Sequence, residues 1–132
     1  MESLTVADCM SHNFVTLHPD LPVFEAAGEL MKNDVLGGPV VESGKLVGWI
    51  SEQDCLKVVL QVVYFDNRVA TVRDIMRRDV LTTRPEESAL DLCDKMLRQM
   101  PKNYPVITSD GKLTGVVSRR MILRALCQGR KG

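Results

Sequence analysis

The sequence predicts an α+β fold in which two β-α-β-β-α repeats pack on each other with pseudo-twofold symmetry. The first observation is an internal repeat, since 6–10 (VADCM) returns as 72–76 (VRDIM) and 44–48 (GKLVG) returns as 111–115 (GKLTG). The second is that both copies carry strand patterns and helical periodicities in the same order. The third is size, because a repeat of about 60 residues buries too little surface to be stable alone.

Each predicted element has a local reason. Pro22 stands where a helix begins, a position at which its missing N–H costs nothing. Ser43-Gly44 supplies a hairpin turn between two apolar strands, and Ser51 caps the helix that follows. In the first repeat the predicted strands are 14–17, 39–42 and 45–50, and the predicted helices are 23–31 and 52–64. In the second repeat the strands are 80–83, 105–108 and 112–117, and the helices are 88–99 and 119–126.

The predicted boundaries follow from these elements. Repeat 1 is expected at 1–64, a linker at 65–71, repeat 2 at 72–127 and a short C-terminal tail at 128–132. The last helix of repeat 1 is apolar around most of its circumference, which is typical of a helix buried on several sides. We expect it to contact both the sister repeat and a second chain. Its apolar residues are Cys55, Leu56, Val58, Val59, Leu60, Val62 and Val63.

The composition argues against several classes of function. The chain has 17 basic and 17 acidic residues, and this balance does not favour binding to nucleic acid or to an acidic membrane surface. No signal pattern and no bilayer-spanning apolar run occurs, which predicts a cytoplasmic protein with no membrane contact. No P-loop, nucleophile elbow or H-E-x-x-H motif occurs, so we expect no enzyme activity.

The metal-binding residue types also give little signal. Only two histidines occur, and no cluster of acids or cysteines accompanies them, so no metal site is expected. Three of the four cysteines align with apolar residues of the other repeat, which indicates buried free thiols. These three are Cys9, Cys55 and Cys93.

The strongest functional signal is an apolar strand that ends in a serine. Residues 48–54 read GWISEQD, and their counterpart at 115–121 reads GVVSRRM. Each serine opens a helix, whose unpaired N–H groups suit a phosphate. Asp54 follows one turn after Ser51 and can accept hydrogen bonds from both hydroxyls of a ribose. Ser-x-x-Asp is also an ordinary helix N-cap, and on these residues alone that structural interpretation is the simpler one.

Taken together, the two repeats resemble a tandem CBS domain pair, also called a Bateman module. The resemblance covers roughly 4–127 and rests on 39–41 (PVV) with its echo 105–107 (PVI), and on the strand that ends in Ser-x-x-Asp. It implies a module that binds adenosine-containing ligands in clefts between the repeats, namely AMP, ADP, ATP or S-adenosylmethionine. It also implies a homodimer, and no other cofactor is required.

The resemblance assigns the site residues as well. Ser51 and Asp54 of one repeat are expected to face the first strand of the other repeat across the cleft. The residues before the second strand contribute too, and there a glycine either admits the ligand closely or makes a tight turn. Tyr104 either stacks on the base or fills a gap. The expected site contains Ser51, Asp54, Met76, Val80, Leu81, Thr82, Gly37, Gly38, Lys102, Asn103 and Tyr104.

A weaker second site is expected at Ser118, Arg119 and Arg120. Met121 stands where repeat 1 has Asp54, and a methionine side chain cannot hydrogen-bond a ribose diol in this way. The resemblance therefore implies that this half-site is impaired for nucleosides. The two arginines either hold a phosphate or are ordinary solvated surface residues.

We expect a regulatory ligand sensor that favours an AMP-like ligand and acts on a protein target. Glu52 lies beside the proposed phosphate position, so a monophosphate, or an uncharged or cationic tail, is favoured over a triphosphate. Arg77, Arg78 and Lys102 are candidates to offset this negative charge. The alternative is a structural or dimerisation adaptor whose ligand sites are vestigial, an interpretation that the methionine at 121 favours.

Overall fold

The structure, a computed structural model, describes residues 4–65, 70–99, 101 and 103–129. Within these ranges the chain forms helices and two β-hairpins, so the predicted α+β class is confirmed. Parts of the predicted linker and tail, 66–69 and 130–132, lie outside the described residues. The elements are α1 (Val6–Cys9), α2 (Val23–Lys32), β1 (Gly37–Glu42), β2 (Lys45–Ser51), α3 (Glu52–Phe65), α4 (Val72–Ile75), α5 (Ala89–Gln99), β3 (Asn103–Ile107), β4 (Leu113–Ser118) and α6 (Arg119–Gly129).

The chain divides into two compact units. The first unit is Val15–Val80, and the second unit combines the residues up to Phe14 with those from Leu81 onward. Helix α4 therefore belongs to the unit of the first hairpin, and helix α1 belongs to the unit of the second hairpin. In the first unit the N–H of Val72 donates to the carbonyl of Leu21 at 2.9 Å. In the second unit the N–H of Val6 donates to the carbonyl of Glu87, also at 2.9 Å.

Helices α1 and α4 are short and were not expected from the sequence. Each begins with a capping box, in which an aspartate in the first turn accepts hydrogen bonds from the preceding threonine. Asp8 Oδ2 lies 2.9 Å from the N of Thr5, and Asp74 Oδ2 lies 2.9 Å from the N of Thr71. These hydrogen bonds lower the pKa of Asp8. The pattern Thr-x-x-Asp at 5–8 and 71–74 is the signal that identifies both helices.

The two hairpins are antiparallel and match the predicted strands closely. Strand β1 pairs with β2, and β3 pairs with β4. The first turn is made by Ser43 and Gly44, with φ of 54° and 79°. Two successive residues with positive φ are the signature of a turn whose twist suits an antiparallel hairpin. The predicted hairpin at this point is confirmed.

The predicted strands at 14–17 and 80–83 were wrong in extent. Each is reduced to one parallel bridge, Leu17 to Val40 and Thr83 to Val106. In the first unit the ladder consists of Leu17 N–H to the Pro39 carbonyl and Val41 N–H to the Leu17 carbonyl. The next bond on either side would need an N–H from residue 19 or residue 39, and both are prolines. Pro85 and Pro105 occupy the equivalent positions of the second unit.

Each unit has its own hydrophobic core. Cys55 is buried in the first core, while Cys9 and Cys93 are half-buried against the second. Burial raises the pKa of these thiols, so they are mainly protonated at neutral pH. The first core contains Leu17, Val23, Ala26, Leu30, Val40, Ile50, Cys55, Val72 and Met76. The second contains Val6, Ala89, Leu92, Met96, Tyr104, Val106, Val117 and Ile122.

Helix α3 is less buried in the chain than its sequence predicts. Among its described side chains only Cys55 is buried. Leu56, Leu60, Val63 and Tyr64 are 44 to 74% exposed, and we call them the apolar stripe of α3. The expected contact between this helix and a second chain stays a prediction. No helix among the described residues is both long and apolar enough to cross a bilayer.

Candidate functional site

Ser51 and Asp54 form a reciprocal hydrogen-bonded pair where β2 ends and α3 begins. Asp54 Oδ2 accepts hydrogen bonds from Ser51 Oγ at 2.8 Å and from Ser51 N at 3.2 Å. In return the N–H of Asp54 donates to Ser51 Oγ at 3.1 Å. Both residues are half-buried. The N-cap predicted from the residues is therefore present, and it uses one carboxylate oxygen.

The other carboxylate oxygen of Asp54 has no donor among the residues that the structure describes. An aspartate carboxylate offers about four acceptor positions, so capping leaves part of this capacity open. The serine fixes the orientation of the carboxylate while Oδ1 stays available. The same geometry therefore allows Asp54 both to cap the helix and to bind a ligand.

Gly37 and Gly38 lie opposite this pair in β1, and they face different sides of the hairpin. Gly37 pairs with Ser51, and an added Cβ there would lie 2.7 Å from Trp49 Nε1 and 3.4 Å from Ser51 Cα. Gly38 pairs with Ile50, and its added Cβ would lie 3.2 Å from the carbonyl oxygen of Val15. Gly37 therefore makes room beside Ser51, whereas Gly38 makes room in the core.

Met76 lies in the same unit, directly after α4, and packs against the glycine that precedes Trp49. An added Cβ at Gly48 would lie 2.8 Å from Met76 Sδ and 2.7 Å from the carbonyl oxygen of Arg77. Trp49 and Arg77 exchange two backbone hydrogen bonds of 2.9 and 2.8 Å. Val80, half-buried, ends the first unit. The structure thus brings Ser51, Asp54 and Gly37 together where β2 ends and α3 begins, whereas Met76 lies on the opposite face of the hairpin, against Gly48.

The remaining predicted residues lie elsewhere in the chain. Leu81, Thr82, Asn103 and Tyr104 belong to the second unit, and Lys102 lies outside the described residues. Tyr104 is 1% exposed in the core of that unit, and its hydroxyl donates to Gln99 Oε1 at 3.0 Å. Burial raises the pKa of this phenol. A ring in this position fills space, so we do not include Tyr104 among the proposed ligand contacts.

The second half-site keeps the cap and lacks the acid. Ser118 Oγ accepts the N–H of Met121 at 3.2 Å. Met121 itself packs against the core of the second unit. Arg119 and Arg120 are exposed, and neither makes an ion pair with a described residue. The capping is therefore shared by both units, whereas a carboxylate acceptor is present only in the first.

One group of side chains in the first unit has the residue types of a metal site. Ligand atoms of His18, Asp20 and Glu42 lie within 4.8 Å of one another. Arg73 Nη2 lies 3.2 Å from Asp20 Oδ1 and 2.9 Å from Glu42 Oε2, so a guanidinium already supplies the positive charge. Because Arg73 is in α4, these ion pairs link that helix to the loop before α2 and to the end of β1. We interpret the group as structural.

Sequence reasoning missed Trp49, the single tryptophan of the chain. Its indole is half-buried, and its Nε1 edge lies over Gly37 beside Ser51. The alternation of side chains along a strand is the signal that identifies it, because residues 49 and 51 must share a face of β2.

Comparison with known proteins places this geometry in a family. The family model for the CBS domain matches residues 6–61 and 72–128. CBSX2 from Arabidopsis thaliana, solved in complex with AMP, is 28% identical with a TM-score of 0.84, covering 96% of this chain and 98% of that one. The CBS domain pair of protein MJ0100, solved with 5'-methylthioadenosine and S-adenosyl-L-methionine, is 31% identical with a TM-score of 0.78. That match covers 97% of this chain and 98% of the other.

Curated relatives are longer than this chain. The homoserine O-acetyltransferase of Methanohalophilus mahii is 30% identical over 97% of this chain, but the match spans only 26% of the relative. The similarity therefore concerns one part of that enzyme.

Proposed function

We propose that this chain is a regulatory module for an adenosine-containing ligand, because it belongs to the CBS domain family and carries two of its repeats. The observation that carries the proposal is the open oxygen of Asp54, held beside Ser51 and Gly37 at the end of β2. The complexes of CBSX2 with AMP and of MJ0100 with methylthioadenosine and S-adenosylmethionine support this ligand class. AMP, ADP, ATP and S-adenosylmethionine are the candidates to be compared.

The chemistry of the site suits a ribose. A ribose diol presents two hydroxyl donors, and the unused acceptor capacity of Asp54 can take both. Ser51 holds the carboxylate in place before any ligand arrives, so little side-chain ordering remains to be done on binding. The missing side chain at Gly37 makes room for the indole edge of Trp49 beside Ser51. The ligand then regulates by its different affinity for two states of the protein, one of which a protein target recognises.

The test is binding of the candidate ligands to the wild type and to Asp54→Ala. Ligand at one hundred times its Kd should stabilise the wild type by about 2.7 kcal/mol, which a thermal shift detects readily. In Asp54→Ala we expect this ligand-dependent shift to disappear. Because this substitution also removes a helix cap, isothermal titration calorimetry is carried out on the folded variant. A loss of affinity there reports on binding and not on the stability of the helix. Chromatography of the ligand after incubation should return it unchanged, since we propose binding without turnover.

The matched control is Asp91→Ala. Asp91 also stands in the first turn of a helix, three residues after a serine whose Oγ accepts its N–H at 3.4 Å. It lies on α5, which belongs to the second unit. This variant should keep the full ligand-dependent shift. Undiminished binding in Asp54→Ala would refute the proposed site.

A second candidate function is a structural adaptor. The complete Ser51–Asp54 capping geometry favours it, because capping alone explains why these two side chains are paired. Met121 favours it too, since the second unit forms its cap without an acid. Absence of a shift with every adenosine compound would establish the adaptor over the sensor.

We propose further that the chain forms a homodimer through the apolar stripe of α3. Its members at 56, 60, 63 and 64 follow the spacing of one helix face, and all are exposed. A self-complementary contact requires the same patch on both copies, which an uncharged apolar face provides. Sedimentation velocity should show a dimer that Leu60→Lys converts to a monomer.

The control for this substitution is Leu123→Lys. Leu123 is 61% exposed on α6, where no other described side chain is a large exposed hydrophobe. The control should sediment like the wild type. A wild type that remains monomeric at high concentration, or equal effects of both substitutions, would contradict the proposed interface.

A further inference from the structure

We propose that Arg77 and Trp49 extend this ligand site along β2, with Arg77 binding a phosphate and Trp49 contacting the nucleoside. The ligand is then an adenine nucleotide with a phosphate close to the ribose, rather than a neutral or cationic adenosyl compound. This inference rests on the proposed function, since it names the ligand class of the same site.

The backbone register puts both side chains on one face. Trp49 and Arg77 form an antiparallel bridge with hydrogen bonds in both directions, and residues directly opposite in such a bridge point to the same side. The neighbouring residues confirm the alternation. Met76 is 7% exposed and packs in the core against Gly48, so Arg77 must lie on the opposite face.

That same face carries the Ser51 pair. Ser51 is two residues beyond Trp49 in β2, and Gly37 is its partner in β1. An added Cβ at Gly37 would meet both Trp49 Nε1 and Ser51 Cα, which places the indole edge beside the serine. Trp49 is thus next to Arg77 across the bridge and next to Ser51 along the strand. The indole offers an apolar surface between a cation and an acceptor.

Arg77 is available for a ligand, unlike two nearby arginines. Arg73 is paired with Asp20 and Glu42, and Arg78 Nη2 donates to the carbonyl of Arg73 at 3.0 Å. Arg77 is exposed, and its guanidinium has no acceptor among the described residues. A guanidinium with five free donors, on the strand face that also carries Ser51, matches the oxygens of a phosphate.

The second unit has the same backbone geometry with different residues at the positions of Arg77, Trp49, Gly37 and Asp54. Ser11 and Val116 form the bridge equivalent to Arg77 and Trp49, with hydrogen bonds of 2.9 and 3.1 Å. Asn103 pairs with Ser118 where Gly37 pairs with Ser51. Met121 replaces the acid. Four substitutions converge on one location, so the difference marks a ligand site rather than a requirement of the fold.

The charges of this face discriminate among adenosyl ligands. A cation at Arg77 attracts a phosphate, gains nothing from adenosine or methylthioadenosine, and repels the sulfonium of S-adenosylmethionine. Glu52, exposed in the first turn of α3 beside Ser51, limits how much negative charge the site accepts. The predicted order of affinity is AMP first, then adenosine, then S-adenosylmethionine.

Isothermal titration calorimetry with AMP, adenosine and S-adenosylmethionine tests this order. The wild type should bind AMP at least about tenfold more tightly than adenosine, the usual scale of one charge-assisted contact. Arg77→Gln should abolish that preference and leave adenosine binding unchanged. Arg78→Gln removes the same charge at the next residue and should keep the preference. Trp49→Val, which copies Val116, should weaken AMP and adenosine alike.

The outcomes separate this inference from the function on which it rests. Equal affinities for AMP and adenosine, or equal effects of Arg77→Gln and Arg78→Gln, would overturn the assignment of Arg77 to the phosphate. If Asp54→Ala still abolished binding in that case, the ligand site itself would be upheld. Binding that survives Asp54→Ala, or no binding of any adenosine compound, would overturn both. AMP binding should also change the fluorescence of the single tryptophan, and salt should weaken AMP binding in the wild type more than in Arg77→Gln.

Discussion

Leu30→Ala is expected to lower the free energy of unfolding by about 2 to 5 kcal/mol, because it leaves a cavity in the core of the first unit. Leu30 is 0% exposed on α2, within the cluster that includes Val40 and Ile50. Its Cδ2 lies 3.7 Å from an ideal Cβ at Gly38, so the side chain fills the space that this glycine opens. Urea denaturation followed by circular dichroism measures the loss.

Met31→Ala is the control for this truncation. Met31 is the next residue of the same helix and is 68% exposed, so its loss removes few contacts. We expect a change within about 0.5 kcal/mol, as for most surface substitutions. Equal losses for the two variants would mean that the core of the first unit is not organised around α2.

Gly48→Ala is expected to destabilise the protein by about 1 to 3 kcal/mol through overpacking. The new Cβ would lie 2.7 Å from the carbonyl oxygen of Arg77 and 2.8 Å from Met76 Sδ, and the first of these atoms is backbone. Because that carbonyl accepts the N–H of Trp49, relief of the clash must displace the bridge that positions Arg77. The affinity for AMP should therefore fall together with the melting temperature.

Gly28→Ala controls for the general effect of replacing glycine. Gly28 lies within α2, and an added Cβ there meets no atom within 4 Å. This variant should be more stable than the wild type by about 0.5 to 1 kcal/mol, because alanine favours a helix interior over glycine. A destabilised Gly28→Ala, or an unaffected Gly48→Ala, would contradict the packing described for β2 and α4.

The sequence predicted the elements whose signals are local. The Ser43-Gly44 turn has the positive φ angles that the sequence led us to expect, and α2 begins at the residue after Pro22. Ser51 ends β2, and the Ser-x-x-Asp cap has the predicted hydrogen bonds. These features depend on a few neighbouring residues, so a short window of sequence contains the required information.

Predictions that depend on long-range pairing were less successful. Whether 14–17 forms a strand depends on N–H groups of this segment and of its partner β1, and Pro19 and Pro39 remove one from each. The neighbourhood of Trp49 depends on its bridge to Arg77, which joins residues far apart in the chain. The sequence alone allows Tyr104 to be either a base-stacking residue or a packing residue, and its burial in the core favours packing. Register and burial are tertiary properties, so no local pattern fixes them.

The division of the chain at Phe14 and Leu81 has a consequence for the order in which the protein is synthesised. The first unit is one continuous segment, so all of its residues have been made once Val80 is added. Helix α1 is made before that unit, yet the segments that bind it, such as the carbonyl of Glu87, are made after it. During translation all residues of the unit with the proposed ligand site are present before those that pair with α1 emerge, so α1 remains without its partners while that unit is completed.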